Sequence, residues 1–348
     1  MSNSLEQLVG QLIIAGFRGK DSETGSLIEQ YIQKYNVGGV ILYDEDLEIG
    51  GLGSRNINSP KQVKNLTNYL QSISDSHLLI CIDQEGGTVN RLKSDYGFSQ
   101  CPSWKKIGSL NNQMITQQFS YSLAQTLFKC GINLNFAPVL DLDYGPKTTI
   151  GESSRAISHD PARVVFHSKI FISELKKYGI ISCAKHFPGQ GSAMTDTHLG
   201  YTDISNTWTV KDLLPFDELI QSNDLNMIMI AHTFDKKLDP NLPSSLSKKI
   251  ITNMLRNDLG FDGVIICDDP SMKAISNHYD LDTTFELMLN AGVDLFCLGN
   301  NLDYDPNYIE KCIQSICHLI KSGKISEDRV SLSIDRINAL KIKYNIDG

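Results

Sequence analysis

The chain has 348 residues, 41% of them apolar and 21% charged, a balance that fits a globular protein with a sizeable core. Its net charge of −8 is spread without blocks of like sign, which argues against a nucleic-acid or membrane-surface partner. No apolar run approaches the length of a membrane span, and MSNSLEQLVGQLIIAGF lacks the layout of a signal peptide, so the expected location is cytoplasmic.

Eight short apolar runs follow one another along the chain. They are QLIIAGF (11–17), VGGVILY (37–43), LLICID (78–83), INLNFAPVLDL (132–142), IISCAKHF (180–187), LNMIMIAHT (225–233), GVIICDD (263–269) and VDLFCLG (293–299). The first is ambiguous, since LEQLVGQLIIAG also reads as a helix running into a strand. The runs are almost continuously hydrophobic, as expected of parallel strands buried on both faces.

Amphipathic segments lie between them. SPKQVKNLTNYLQSIS opens on Ser-Pro and places Val63, Leu66, Leu70 and Ile73 at helical spacing. ARVVFHSKIFISELKKYG ends in Lys-Lys-Tyr-Gly, with positive charge in the last turn and glycine beyond it. Strand–helix alternation along the whole chain predicts an α/β fold, a (β/α)8 TIM-type barrel, as a single domain over residues 1–348. A doubly wound open sheet is the alternative, weakened because no GxGxxG follows an early strand. The eight cysteines form no CxxC pair and read as small buried hydrophobes in a reducing compartment.

Active sites of such barrels sit at the C-terminal ends of the strands. Five neighbouring predicted strands end in ionisable groups: Asp83 and Glu85, Asp141 and Asp143, Lys185 and His186, His232, then Asp268 and Asp269. A single strand-end charge reads plainly as a solvated one; five sets on one rim point to sugar or acyl chemistry. Asp268 closes a buried strand and is a candidate nucleophile. Asp269 should point the other way by strand alternation, so one of the two is structural. The glycine-rich stretch KHFPGQGSAMTDTHLG (185–200) carries an Asp-x-His pair, Asp196 and His198. The carboxylate can fix the ring tautomer and raise the basicity of the other nitrogen, as a general acid/base needs. The plainer alternatives are a loop histidine bonded to backbone and, for Arg91 and Arg155, salt bridges that tie loops down. No HxH or HxxxH spacing supports a metal site, and no cofactor is called for.

Four blocks carry a family resemblance. IDQEGGTVNRL (82–92), KHFPGQGSAMTDTHLG (185–200), GFDGVIICDDPSMKAI (260–275) and IGESSRAISHDP (150–161) are similar to motifs of glycoside hydrolase family 3, in its single-domain β-N-acetylhexosaminidase branch. The resemblance implies Asp268 as nucleophile, His198 as acid/base with Asp196 as its partner, and Asp83, Arg91, Arg155, Lys185 and His186 as groups that hold the sugar. It implies an exo-acting, retaining enzyme that works as a monomer on a small oligosaccharide or muropeptide, in peptidoglycan recycling. The chain departs from the motifs at Gln190, where the family has a second histidine, and at Ser192, Cys267 and Pro270. Gly189, Gly191 and Gly200 are expected to let His198 swing toward the leaving group and back. Competing readings are a β-glucosidase-type glycosidase, a GlcNAc phosphorylase and a non-catalytic sugar-binding barrel, the last motivated by Gln190.

Overall fold

All eight apolar runs become strands of one closed parallel barrel in the computed structural model, which describes residues 4–21 and 25–346. They are β1 (Ile13–Gly16), β2 (Gly39–Leu42), β3 (Leu79–Ile82), β4 (Leu134–Asn135), β5 (Ile181–Phe187), β6 (Met227–Ile230), β7 (Val264–Cys267) and β8 (Leu295–Leu298). The barrel closes where Ile14 of β1 pairs with Gly39 on one side and Cys297 on the other. Among the described residues no helix is long and apolar enough to cross a membrane.

The ambiguous first segment is both a helix and a strand. Leu5–Gly10 is helical, started by a capping box in which the Ser4 hydroxyl accepts from the Gln7 amide and the Gln7 side chain accepts from the Ser4 amide. The chain then enters β1.

The fourth run is shorter as a strand than its hydrophobicity suggests. Pairing covers Leu134 and Asn135, then stops and returns only as a single bridge from Val139 to Lys185. Pro138 stands in the gap and has no N–H to donate. β5 is the longest strand, and its pairing with β6 shifts register between Ala184 and Phe187. That irregularity lies where Lys185 and His186 leave the barrel, and both side chains reach the same rim.

Outside the barrel, Trp104 packs edge-on against Phe119 and Phe171, with ring centroids 5.5 and 5.0 Å away. It joins the helices Gln113–Lys129 and Pro161–Lys177 over β4 and β5. Two small strand pairs build the rim. Gln84–Gly86 forms a hairpin with Val89–Asn90, and Thr202–Asp203 runs parallel to Thr233–Phe234. The second pair ties the end of the 185–200 stretch to the exit of β6.

Candidate active site

β3, β5 and β7 release their last residues into a cavity of about 410 Å³ at the C-terminal end of the barrel. The eight residues that the family resemblance assigns to the site all line it: Asp83, Arg91, Arg155, Lys185, His186, Asp196, His198 and Asp268. The buried apolar side chains Phe136, Met229 and Cys297 also line it.

One wall is a continuous charged network. The Lys185 ammonium donates to Asp83 at 2.7 Å and pairs with Glu85 at 2.7 Å. Arg155 forks onto the two Glu85 oxygens at 2.8 and 2.7 Å. Burial acts to raise the Glu85 carboxyl, but Arg155 and Lys185 outweigh it and hold the group well below the usual carboxylate range. Arg155 Nη2 also lies 3.3 Å from His186 Nε2. The His186 Nδ1 meets Asp141 at 2.6 Å. The other Asp141 oxygen accepts from the Gln190 amide at 2.6 Å. The bond that Gln190 contributes comes from its backbone, so glutamine in place of histidine leaves it intact.

Arg155 and Arg91 each carry an ion pair and also line the cavity. Arg155 is a salt bridge to Glu85 and a wall of the cavity. Arg91 lies 3.7 Å from Asp44, its guanidinium is 5.6 Å from the Tyr43 ring centroid, and it too lines the cavity.

Both aspartates after β7 line the cavity, but their carboxylates are held differently. Asp269 is buried, with one carboxylate oxygen accepting from the Gly299 amide at 2.8 Å and the other from Ser271 at 2.9 Å. Burial pushes its carboxyl up to about 6. Asp268 keeps its carboxylate free for the cavity, with one oxygen accepting from the Asp269 amide at 2.9 Å. Burial acts to raise it, but the facing His232, His186, His198 and Lys185 outweigh that and hold it below the ordinary aspartate range. An ionised, directed carboxylate is what nucleophilic attack on an anomeric carbon requires.

His198 is bonded to a side chain, not to backbone carbonyls. Its Nδ1 meets Asp196 Oδ1 at 2.7 Å, and its amide donates to the same oxygen at 2.9 Å. The Asp196 bond raises the His198 pKa, against burial, and the charge of Asp268 adds to the rise. Nε2 is left for the cavity.

Sequence reasoning placed Glu85, Asp141 and His232 on the rim without giving them a role. Glu85 neutralises two cations at once, Asp141 orients His186, and His232 spans Ser245 (2.7 Å) and the Asp269 carbonyl (3.0 Å). Glu85 had a signal, its place inside the DQEGG block. The Asp141–His186 pairing had none.

The glycosyl hydrolase family 3 N-terminal domain model matches residues 4–340. The chain belongs to glycosyl hydrolase family 3. This family 3 chain is 34% identical over 293 residues to a β-hexosaminidase of Nitrosomonas eutropha, covering 80% of this chain and 77% of that one. It is 34% identical over 342 residues to a β-hexosaminidase of Hydrogenovibrio crunogenus, covering 94% and 88%. Among solved structures it resembles a family 3 β-N-acetylglucosaminidase from Paenibacillus sp. with a TM-score of 0.89 at 30% identity. That match covers all of this chain and 64% of the larger Paenibacillus protein. A β-N-acetylhexosaminidase from Beutenbergia cavernae gives a TM-score of 0.86 at 25% identity, covering 98% and 99%. The family 3 chain is thus an enzyme, a glycoside hydrolase.

Proposed function

We propose that this glycoside hydrolase is an exo-acting β-N-acetylhexosaminidase that releases terminal GlcNAc with retention of configuration. The observation that carries the reading is the Asp196–His198 pair, 2.7 Å apart, on the wall of the cavity into which Asp268 points. The names of the β-hexosaminidase relatives support it.

In the first step an Asp268 oxygen forms a bond to the anomeric carbon as the bond to the leaving oxygen breaks. His198 Nε2–H gives that oxygen its proton, and Asp196 stabilises the charged ring beforehand. In the second step the neutral ring takes a proton from water, the water oxygen bonds to the anomeric carbon, and Asp268 is freed. Asp83, Lys185, Arg155, His186 and Arg91 are placed to bind hydroxyls of the terminal sugar, carboxylate as acceptor and cations as donors. Whether a muropeptide is a substrate depends on the charge at the mouth of the cavity.

The test is hydrolysis of 4-nitrophenyl β-N-acetylglucosaminide beside the β-glucoside. We expect a strong preference for the N-acetyl sugar, no turnover by Asp268→Ala and a loss of about 10²–10⁴-fold in His198→Ala. Binding of GlcNAc without turnover of either glycoside would mark a non-catalytic barrel. Sugar phosphate among the products in phosphate buffer would mark phosphorolysis.

A further inference from the structure

The oxygen that His198 protonates belongs to the leaving group, so the aglycone must lie on the His198 side of the cavity. There the cavity continues into an open groove between the loop tip Met194–Tyr201 and the short helix Thr149–Glu152. Thr88, Thr149, Ser153 and Asp196 line both spaces. Three large apolar side chains stand open along the groove: Met194 (58% exposed), Leu199 (78%) and Tyr201 (48%). Apolar surface gathered beside a reaction centre marks a contact surface. The Tyr201 ring is held in place by Phe234 and His278, at centroid distances of 5.2 and 5.9 Å.

The charges are one-sided. Glu152 and Asp196 line the groove, and among the described residues no lysine or arginine does. Of the cations in the adjoining cavity, Arg155 is engaged by Glu85, Lys185 by Asp83 and Glu85, and His198 by Asp196, while Arg91 lies 3.7 Å from Asp44.

We infer that this groove is the aglycone subsite and that it takes an uncharged pyranose, the next N-acetylhexosamine of a β-linked oligosaccharide, in preference to a ring bearing a carboxylate such as a muramyl residue. The apolar face of the ring lies on Tyr201 and Leu199, and its hydroxyls meet the Thr88, Thr149 and Ser153 side. An acidic substituent there meets the Glu152 carboxylate, while Asp196 is occupied by the protonated His198. The inference rests on His198 as the acid/base.

The experiment compares kcat/KM for di-N-acetylchitobiose and for GlcNAc-β-1,4-MurNAc, with 4-nitrophenyl β-N-acetylglucosaminide as the activity check. The wild type should favour chitobiose by about fivefold or more, a gap that narrows as salt rises. Glu152→Lys should raise the muramyl disaccharide's value and close most of the gap. Leu199→Ser combined with Tyr201→Ser should lower the value for chitobiose by about tenfold. Turnover of the aryl glycoside together with equal or faster cleavage of the muramyl disaccharide overturns the subsite assignment alone. So does a ratio unmoved by Glu152→Lys. No turnover of the aryl glycoside at any pH removes the catalytic reading and this one with it.

Discussion

A histidine 45% exposed on a loop would titrate near its ordinary value of 6.5 if nothing held it. Asp196 changes that, because its hydrogen bond favours the protonated ring and moves the His198 pKa up. The first chemical step needs His198 protonated and Asp268 ionised. Asp268 is held below its ordinary value, so the acid limb of kcat/KM lies low, and the alkaline limb lies above 6.5. In Asp196→Asn the raising bond is weakened, the proton leaves at lower pH, and the alkaline limb moves toward acid while the acid limb stays. A pH–rate profile on the aryl glycoside reads this directly, and an alkaline limb that does not move assigns the proton to another group. The Asp-x-His spacing was legible in the sequence because the two residues are nearly adjacent. The Asp141–His186 bond was not, since only the neighbouring positions of β4 and β5 bring those side chains together.

The 185–200 stretch behaves as two pieces. Residues 187–193 are buried and form a wall, while the tip at 194–200 is largely exposed. The glycines expected to give mobility mostly serve the wall. A Cβ on Gly191 would sit 2.2 Å from the Leu142 carbonyl oxygen, and one on Gly189, whose φ is +120°, would sit 2.7 Å from the Asp212 Cβ. Gly200 alone of the three faces open space. Gly191→Ala should therefore cost about 1–3 kcal/mol of stability through overpacking, lower the Tm and reduce kcat/KM by displacing the Gln190 amide from Asp141. Thermal unfolding beside the aryl-glycoside assay tests both, and an unchanged Tm would show that the wall yields. Composition identifies a glycine; whether it serves a turn, a close contact or motion depends on a neighbour distant in the chain.

The bottom of the barrel is organised around one buried acid far from the chemistry. Asp294, just before β8, accepts from the Ile265 amide (3.1 Å) and the Ser333 hydroxyl (2.8 Å), and pairs with Arg256, Arg329 and Arg336. It thereby ties the π-helical segment Lys249–Asp258 and the last helix, Glu327–Lys343, to the strand layer. Asp294→Ala leaves three guanidinium groups crowded around an empty acceptor and should cost about 3–5 kcal/mol. Differential scanning calorimetry should show a fall in Tm of several degrees, with KM for the aryl glycoside unchanged because the site lies at the other end of the strands. A shifted KM would mean that the two ends of the barrel are coupled.

Barrel architecture and the chemical groups of the site were readable from order alone. Strands buried on both faces must be continuously apolar, and in this fold the residues that follow them must gather at one end. Motif residues within a few positions of one another, Asp196 with His198 or Asp268 with Asp269, were readable for the same reason. Contacts between separate strands needed the folded chain: Glu85 between Lys185 and Arg155, Asp141 behind His186, and Asp294 among three arginines. So did the charge of the groove beside His198. Each depends on which side chains meet across strands or loops, and that is set by register and closure, which no local pattern encodes.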